Sequence, residues 1–236
     1  MQVTYLDAFS AWADFRTLVD TTVQEGGLRN IAEVGAGANP LFSAAFAESI
    51  DGSYHLIDSS AEELRKAGPG YIIHVLDIQK DISSLDQQFD LIIAQMTLEH
   101  ISDPKSFFEN VHQLLRPGGK VCLFFASVTS LPMLVNKFLP DSLSRRILLK
   151  IQPFRQNEKH GKFTAFYRWC FGPTRNNIRN FENAGFGVDR YTGYFGHSYY
   201  ERFPLLNLLE KKKTAWLLKH PQPGLCTYGQ VVLSKK

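Results

Sequence analysis

At 236 residues, 44% hydrophobic and 21% charged, the chain has the size and composition of one large globular domain with its own core. A formal charge of +3 is too mild to single out nucleic acid as a partner, and the longest apolar run, VCLFFASV, falls far short of a bilayer span. Three cysteines without metal-ligand spacing (Cys122, Cys170, Cys226) imply neither a metal site nor a disulfide framework; with no signal-peptide pattern in MQVTYLDAFSAW, they predict a soluble cytoplasmic protein.

In chain order, Phe9, Trp12, Phe15 and Val19 recur at helical spacing between Asp7 and Gln24, and Gly26-Gly27 closes that helix. Short apolar strands follow at 31–34, 54–57, 71–76, 89–94 and 120–125, with helices near 40–49, 61–67 and 104–115 between them. Strands alternating with helices predict a parallel sheet covered on both faces. The pattern breaks from Ser127 to Phe171, where LPMLVNKFLPDSLSRRILLKI reads as one or two amphipathic helices inserted after the fifth strand. It resumes with a helix at 174–184 capped by Gly185, a strand at 186–195, a helix near 200–219 and a last strand around 226–233. The expected division is 1–126 for an N-terminal helix and ligand-binding core, 127–172 for a helical cap, and 173–236 for completion of the sheet.

The stretch IAEVGAGANPLFSAAF, Ile31 to Phe46, holds the densest functional signal. A buried strand turns through Gly35 and Gly37 toward a helix, and glycine there allows positive φ and close approach of a ligand to the backbone. Asn39 and Pro40 read as an N-cap and first-turn proline. In an open parallel sheet, ligands bind at the carboxyl ends of the strands. Four polar residues close successive strands: Glu33, Asp58, Asp77 and Gln95. Asp58 stands 23 residues after Gly35, near the offset expected for a ribose-binding carboxylate. A nicotinamide site would share that feature, but Pro40 occupies the third position of G-x-G-x-x-G.

The ordered segments E-V-G-A-G-x-N, L-I-D-S-S, V-L-D-I, F-D-L-I-I-A-Q-M-T-L-E-H-I-S-D-P and L-L-R-P-G-G-K resemble the successive motifs of class I S-adenosylmethionine-dependent methyltransferases, in their small-molecule and quinone-pathway subgroup. The resemblance covers about residues 28 to 126. It implies a Rossmann-like, doubly wound α/β fold whose mainly parallel sheet has seven strands, with the helical cap inserted after strand five. It implies S-adenosylmethionine as cofactor and S-adenosylhomocysteine as product. By that resemblance Gly35, Ala36, Gly37 and Asn39 pass the methionine part, with Glu33 near its amino group. Asp58 and Ser59 meet the ribose, Asp77 and Ile78 the adenine, and Gln95 and Met96 line the methionine end.

Methyl transfer needs alignment and exclusion of water, and a base only for nucleophiles that must lose a proton. Four residues are expected to serve the acceptor. His160 and His197 are imidazoles beside aromatic clusters, Tyr167 could orient an acceptor hydroxyl, and His100 in LEHISDP is read either as a base or as part of the loop structure. The clusters KHGKFTAFYRWCFGPT and YTGYFGHSYY supply either lid packing or a surface for a flat acceptor. The expected reaction is methylation of oxygen, or secondarily carbon, of an aromatic or hydrophobic small molecule. Two alternatives stand beside it. Arg145, Arg146, Lys150 and Arg155 after an apolar run would suit weak contact with a membrane surface holding a quinone or lipid acceptor, and a non-catalytic binding protein could retain the fold. No N-P-P-Y or D-P-P-Y follows strand four, so DNA is not the expected acceptor.

Overall fold

A computed structural model describes residues 1–85, 88–130, 133–134 and 164–236. The expected cap lies mainly outside the described residues, and with it His160, Arg145, Arg146, Lys150 and Arg155.

The elements are β1 (Gln2–Asp7), α1 (Ala11–Gly26), β2 (Asn30–Val34), α2 (Ala45–Ser49), β3 (Ser53–Asp58), α3 (Ala61–Lys66), β4 (Ile72–Val75), β5 (Phe89–Gln95), α4 (Pro104–Leu114), β6 (Leu115–Ala126), α5 (Arg175–Asn183), β7 (Phe186–Phe195), α6 (Pro204–Lys219) and β8 (Tyr228–Lys235). The strands form one sheet in the order β1-β7-β8-β6-β5-β2-β3-β4, parallel except for β8, which runs antiparallel to both β6 and β7. The chain winds outward through β2, β3 and β4, then returns to β5 on the other side of β2. That return makes β2/β5 the switch point where a doubly wound sheet opens a crevice at its carboxyl edge.

The sheet has eight strands, not seven. The added one is β1, paired in parallel register with β7 from Gln2↔Arg190 to Asp7↔Phe195. As an edge strand it buries none of its residues, so QVTYLD carries no continuous apolar run of the kind that marks the inner strands. The inner strands read as expected, because burial on both faces demands continuous apolar side chains: Leu91 to Ala94 and Val121 to Phe125 are all fully buried.

Helix α1 buries Ala11, Phe15, Val19 and Val23, a stripe at four-residue spacing. The sequence reading placed Phe9 and Trp12 on that stripe. Phe9 is instead 99% exposed, and Trp12 is half-exposed against Phe124 and Tyr228. The helix expected at 40–49 shrinks to α2, and Asn39 caps nothing, because the chain from Ala38 to Ala44 forms an irregular loop ahead of Ala45. Gly27 ends α1 in the left-handed region at φ 57°, with its N–H donated to the Gln24 and Val23 carbonyls. Asp103 caps α4 by accepting from the Lys105 and Ser106 N–H groups, ahead of Pro104. All three cysteines are buried free thiols. Among the described residues no helix is long and apolar enough to cross a membrane.

Candidate functional site

A cavity of about 460 Å³ opens at the carboxyl ends of β2, β3, β4 and β5, on the switch point. Its first wall is the turn after β2. Gly35 sits at φ 70°, and a Cβ there would overlap the Thr97 side chain. Glycine is thus required twice over, by conformation and by space. Gly37, at φ 50°, donates its N–H to Asp58 Oδ2 at 3.1 Å, and Ser60 N donates to Oδ1 of the same carboxylate at 2.9 Å. Two backbone donors fix Asp58 in one rotamer at the end of β3, and a carboxylate held by two bonds keeps lone pairs for two further donors. Vicinal hydroxyls match that arrangement.

The third wall is the loop after β4. Asp77 Oδ1 accepts from Gln79 N at 3.1 Å, and Asn110 of α4 donates to the Ile78 and Lys80 carbonyls at 2.8 and 2.7 Å. Gln79 Oε1 in turn accepts from Ser102 N, Ser102 Oγ and Asp103 N at 2.8 to 2.9 Å. The segment is therefore tied to the loop that starts α4, which closes the cavity on that side. The fourth wall is the end of β5, where Met96 adopts φ 52°, an uncommon conformation for a non-glycine residue, with its N–H bonded to the Phe124 carbonyl at 2.7 Å. Thr97 Oγ1 lies 3.1 Å from both the Val34 and the Gln95 carbonyl oxygens, joining β2 and β5 behind Gly35.

Nine of the expected cofactor residues line this cavity: Gly35, Ala36, Gly37, Asn39, Asp58, Ser59, Asp77, Ile78 and Met96. Glu33 and Gln95 are not among its walls. Glu33 is buried beneath the loop from Ala38 to Ala44, where its carboxyl accepts from Leu41 N at 2.9 Å and from the Tyr54 hydroxyl. Burial pushes its pKa up to about 7, and those two bonds pull the other way. Its place is under the loop rather than beside a ligand. Arg16 holds the same loop from outside, donating to the Leu41 carbonyl at 2.9 Å and lying over the Phe42 ring.

Of the expected acceptor residues, His100 alone borders the cavity among the described residues. Its Nδ1 is 3.0 Å from the Thr164 carbonyl oxygen, so that nitrogen carries the proton and Nε2 carries the lone pair. Burial lowers its pKa, with the Thr164 bond acting in the other direction. Phe166, 38% exposed, lies on the same wall. Tyr167 is turned away: its hydroxyl lies against Met133 Sδ at 3.4 Å. Trp169 stacks on Phe108, ring centroids 5.3 Å apart, and is not on the wall of this cavity. His197 belongs to a different cavity, under α6.

Sequence reasoning passed over Thr97, Gln79 and Glu99. Thr97 shows its role only through the space that Gly35 leaves, and Gln79 only through the loop it ties down. Glu99 stands next to His100, and its backbone oxygen accepts from Phe166 N and Tyr167 N at 2.7 and 3.0 Å. Burial also pushes its carboxyl up to about 7, against bonds from backbone N–H groups including that of Ala126. The sequence signal was an acid inside LEHISDP with no exposed reason to be there.

A turn of two positive-φ glycines, a carboxylate fixed at the end of the second core strand and a tethered loop at the end of the third define a nucleoside-binding crevice. Residues 7–189 match the methyltransferase domain family, and the chain belongs to that family as a class I S-adenosylmethionine-dependent methyltransferase. It is 31% identical over 106 residues to a ubiquinone biosynthesis O-methyltransferase of Coxiella burnetii, a match covering 42% of this chain and 44% of that enzyme. It is 34% identical over 106 residues to a polyketide synthase-nonribosomal peptide synthetase of Aspergillus clavatus, covering 40% of this chain and 3% of that protein. The matches thus span less than half of these relatives' lengths. An S-adenosylmethionine-dependent methyltransferase from Mesorhizobium loti shares the fold, with a TM-score of 0.57 and 18% identity over 97% of this chain and 99% of that one.

Proposed function

We propose that the chain binds S-adenosylmethionine in this cavity and methylates an oxygen atom of an aromatic or hydrophobic small molecule. When bound, the cofactor supplies a methyl group on a positively charged sulfur, open to in-line attack by a nucleophile. The residues fit it. Asp58, fixed by Gly37 and Ser60, takes the two ribose hydroxyls on its remaining lone pairs. Asp77 and the Ile78 backbone meet the adenine, and the bare backbone of Gly35 and Gly37 runs along the methionine part. Met96 and Thr97 close that end.

The observation that carries methylation of oxygen is the His100 imidazole on the cavity wall, beside the half-exposed Phe166 ring. A lone-pair nitrogen can hold the proton that a hydroxyl acceptor gives up, and an apolar ring favours a flat acceptor. The likeness to a ubiquinone biosynthesis O-methyltransferase supports the same choice of atom. Turnover on a panel of phenols and aromatic amines tests it. Phenols should be methylated, and His100→Gln should lower kcat on them about a hundredfold while cofactor affinity holds. Preference for amines, or near-normal turnover by His100→Gln, would contradict the proposal.

A second reading sets the acceptor at a lipid surface, and it rests on the outer face of α6. Leu205, Leu208, Leu209 and Trp216 there are each half-exposed or more, interspersed with Lys212 and Lys219.

A further inference from the structure

A second cavity, of about 740 Å³, lies at the carboxyl ends of β1 and β7 beneath α6. It shares no lining residue with the cofactor cavity. The two are nonetheless close: the Trp12 ring on its wall is 4.9 Å from the Phe124 ring, and the Phe124 carbonyl holds the Met96 N–H.

The inner face of α6 is unusually polar for a core helix, with Leu217 its one buried apolar residue. Glu210 and Thr214 point inward and are buried to 7% and 5% exposure, and the His197 side chain facing them is 1% exposed. Three buried polar atoms here have no hydrogen-bond partner: His197 Nδ1, Glu210 Oε1 and Thr214 Oγ1. One such atom is uncommon and destabilising; three on the walls of one cavity mark a built polar surface.

The chemistry of those atoms selects the ligand. His197 Nε2 lies 3.6 Å from Glu210 Oε1, too long for a hydrogen bond, so the acceptors offered here are Glu210 Oε1 and the Thr214 hydroxyl. A carboxylate oxygen and a hydroxyl therefore call for a ligand that donates hydrogen bonds. A cation is not called for, because Lys213 already neutralises Glu210 at 2.6 Å. An anion would meet three carboxylates on the walls, Asp7, Glu201 and Glu210, against one lysine, Lys211. Trp12 and Tyr228, with ring centroids 5.1 Å apart, supply an aromatic side.

We propose that this cavity is a second ligand site, built for an uncharged hydroxylated aromatic molecule whose hydroxyls donate to Glu210 and Thr214 while its ring lies against Trp12 and Tyr228. The test reads binding, not turnover, so it stands apart from the methyl-transfer reading. Resorcinol is titrated into the full chain, with benzylamine and benzoate as charged counterparts of similar size, and followed by ligand-observed NMR. Resorcinol should bind better than either. The shape-conserving Thr214→Val should weaken it about tenfold while S-adenosylhomocysteine affinity stays unchanged. In the unmodified protein, resorcinol should also shift the labelled Thr214 methyl resonance, a readout that needs no variant. Equal or tighter binding of a charged probe, undiminished binding by Thr214→Val, or no probe binding with an unmoved Thr214 methyl would each overturn the site; the last would leave those atoms to water alone.

Discussion

Glu33 is a residue whose charge state the fold constrains. In an unfolded chain its carboxyl ionises near 4.5, whereas in the fold burial holds the proton up to about pH 7. Between those limits the folded chain keeps a proton that the unfolded chain gives up. The protonated group's contribution to stability is therefore complete below about 4.5 and is lost as pH rises to about 7. At roughly 1.4 kcal/mol per unit of pKa shift, the span amounts to roughly 3 kcal/mol. Glu33→Gln keeps an oxygen to accept from Tyr54 and Leu41 but cannot ionise. Chemical unfolding at a series of pH values should show the variant gaining on the parent from pH 4.5 to 7. A difference between the two that does not move with pH would show that Glu33 is charged in the fold.

Among the elements, α6 is largely inverted: Glu210 and Thr214 face the protein beside Leu217, and most of its apolar side chains face outward. Leu205, Leu209, Lys212 and Trp216 follow one another at four, three and four residues, which sets them on one face opposite Glu210 and Thr214. Leucine and tryptophan on such a face insert among lipid tails, and lysines reach up to anionic headgroups. Sedimentation with anionic vesicles should carry the chain down at low salt, and Leu205→Glu/Leu209→Glu should reduce that at least tenfold. A chain that stays in the supernatant at low salt would remove the lipid-surface reading. In the sequence the basic stretch from Arg145 to Arg155 drew attention instead, because a run of arginines stands out without any knowledge of which faces are buried. The inversion of α6 cannot be read from PLLNLLEKKKTAWLLK alone, since its pattern does not say which side meets the sheet.

For the molecule as a whole, the order and type of the core elements were legible because parallel strands buried on both faces must be continuously apolar, as in LIIA and VCLFF. The edge strand β1 was not, because nothing buries it, and the helix at 40–49 was overcalled because a loop held by Glu33, Arg16 and Tyr71 fills that space. The site was legible where chemistry sits at a strand end, as at Asp58 and Asp77. It was illegible where a residue acts through another: Thr97 behind Gly35, or Gln79 across to Ser102. The carboxyl ends of β2, β3, β4 and β5 converge on one crevice, so its ligand is the central claim. The most direct test is a calorimetric titration of S-adenosylmethionine and S-adenosylhomocysteine into the parent chain and into Asp58→Ala. The parent should bind both with micromolar affinity, and the folded variant should bind neither measurably. A folded parent that binds neither ligand, or a variant with undiminished affinity, would contradict the assignment of this crevice.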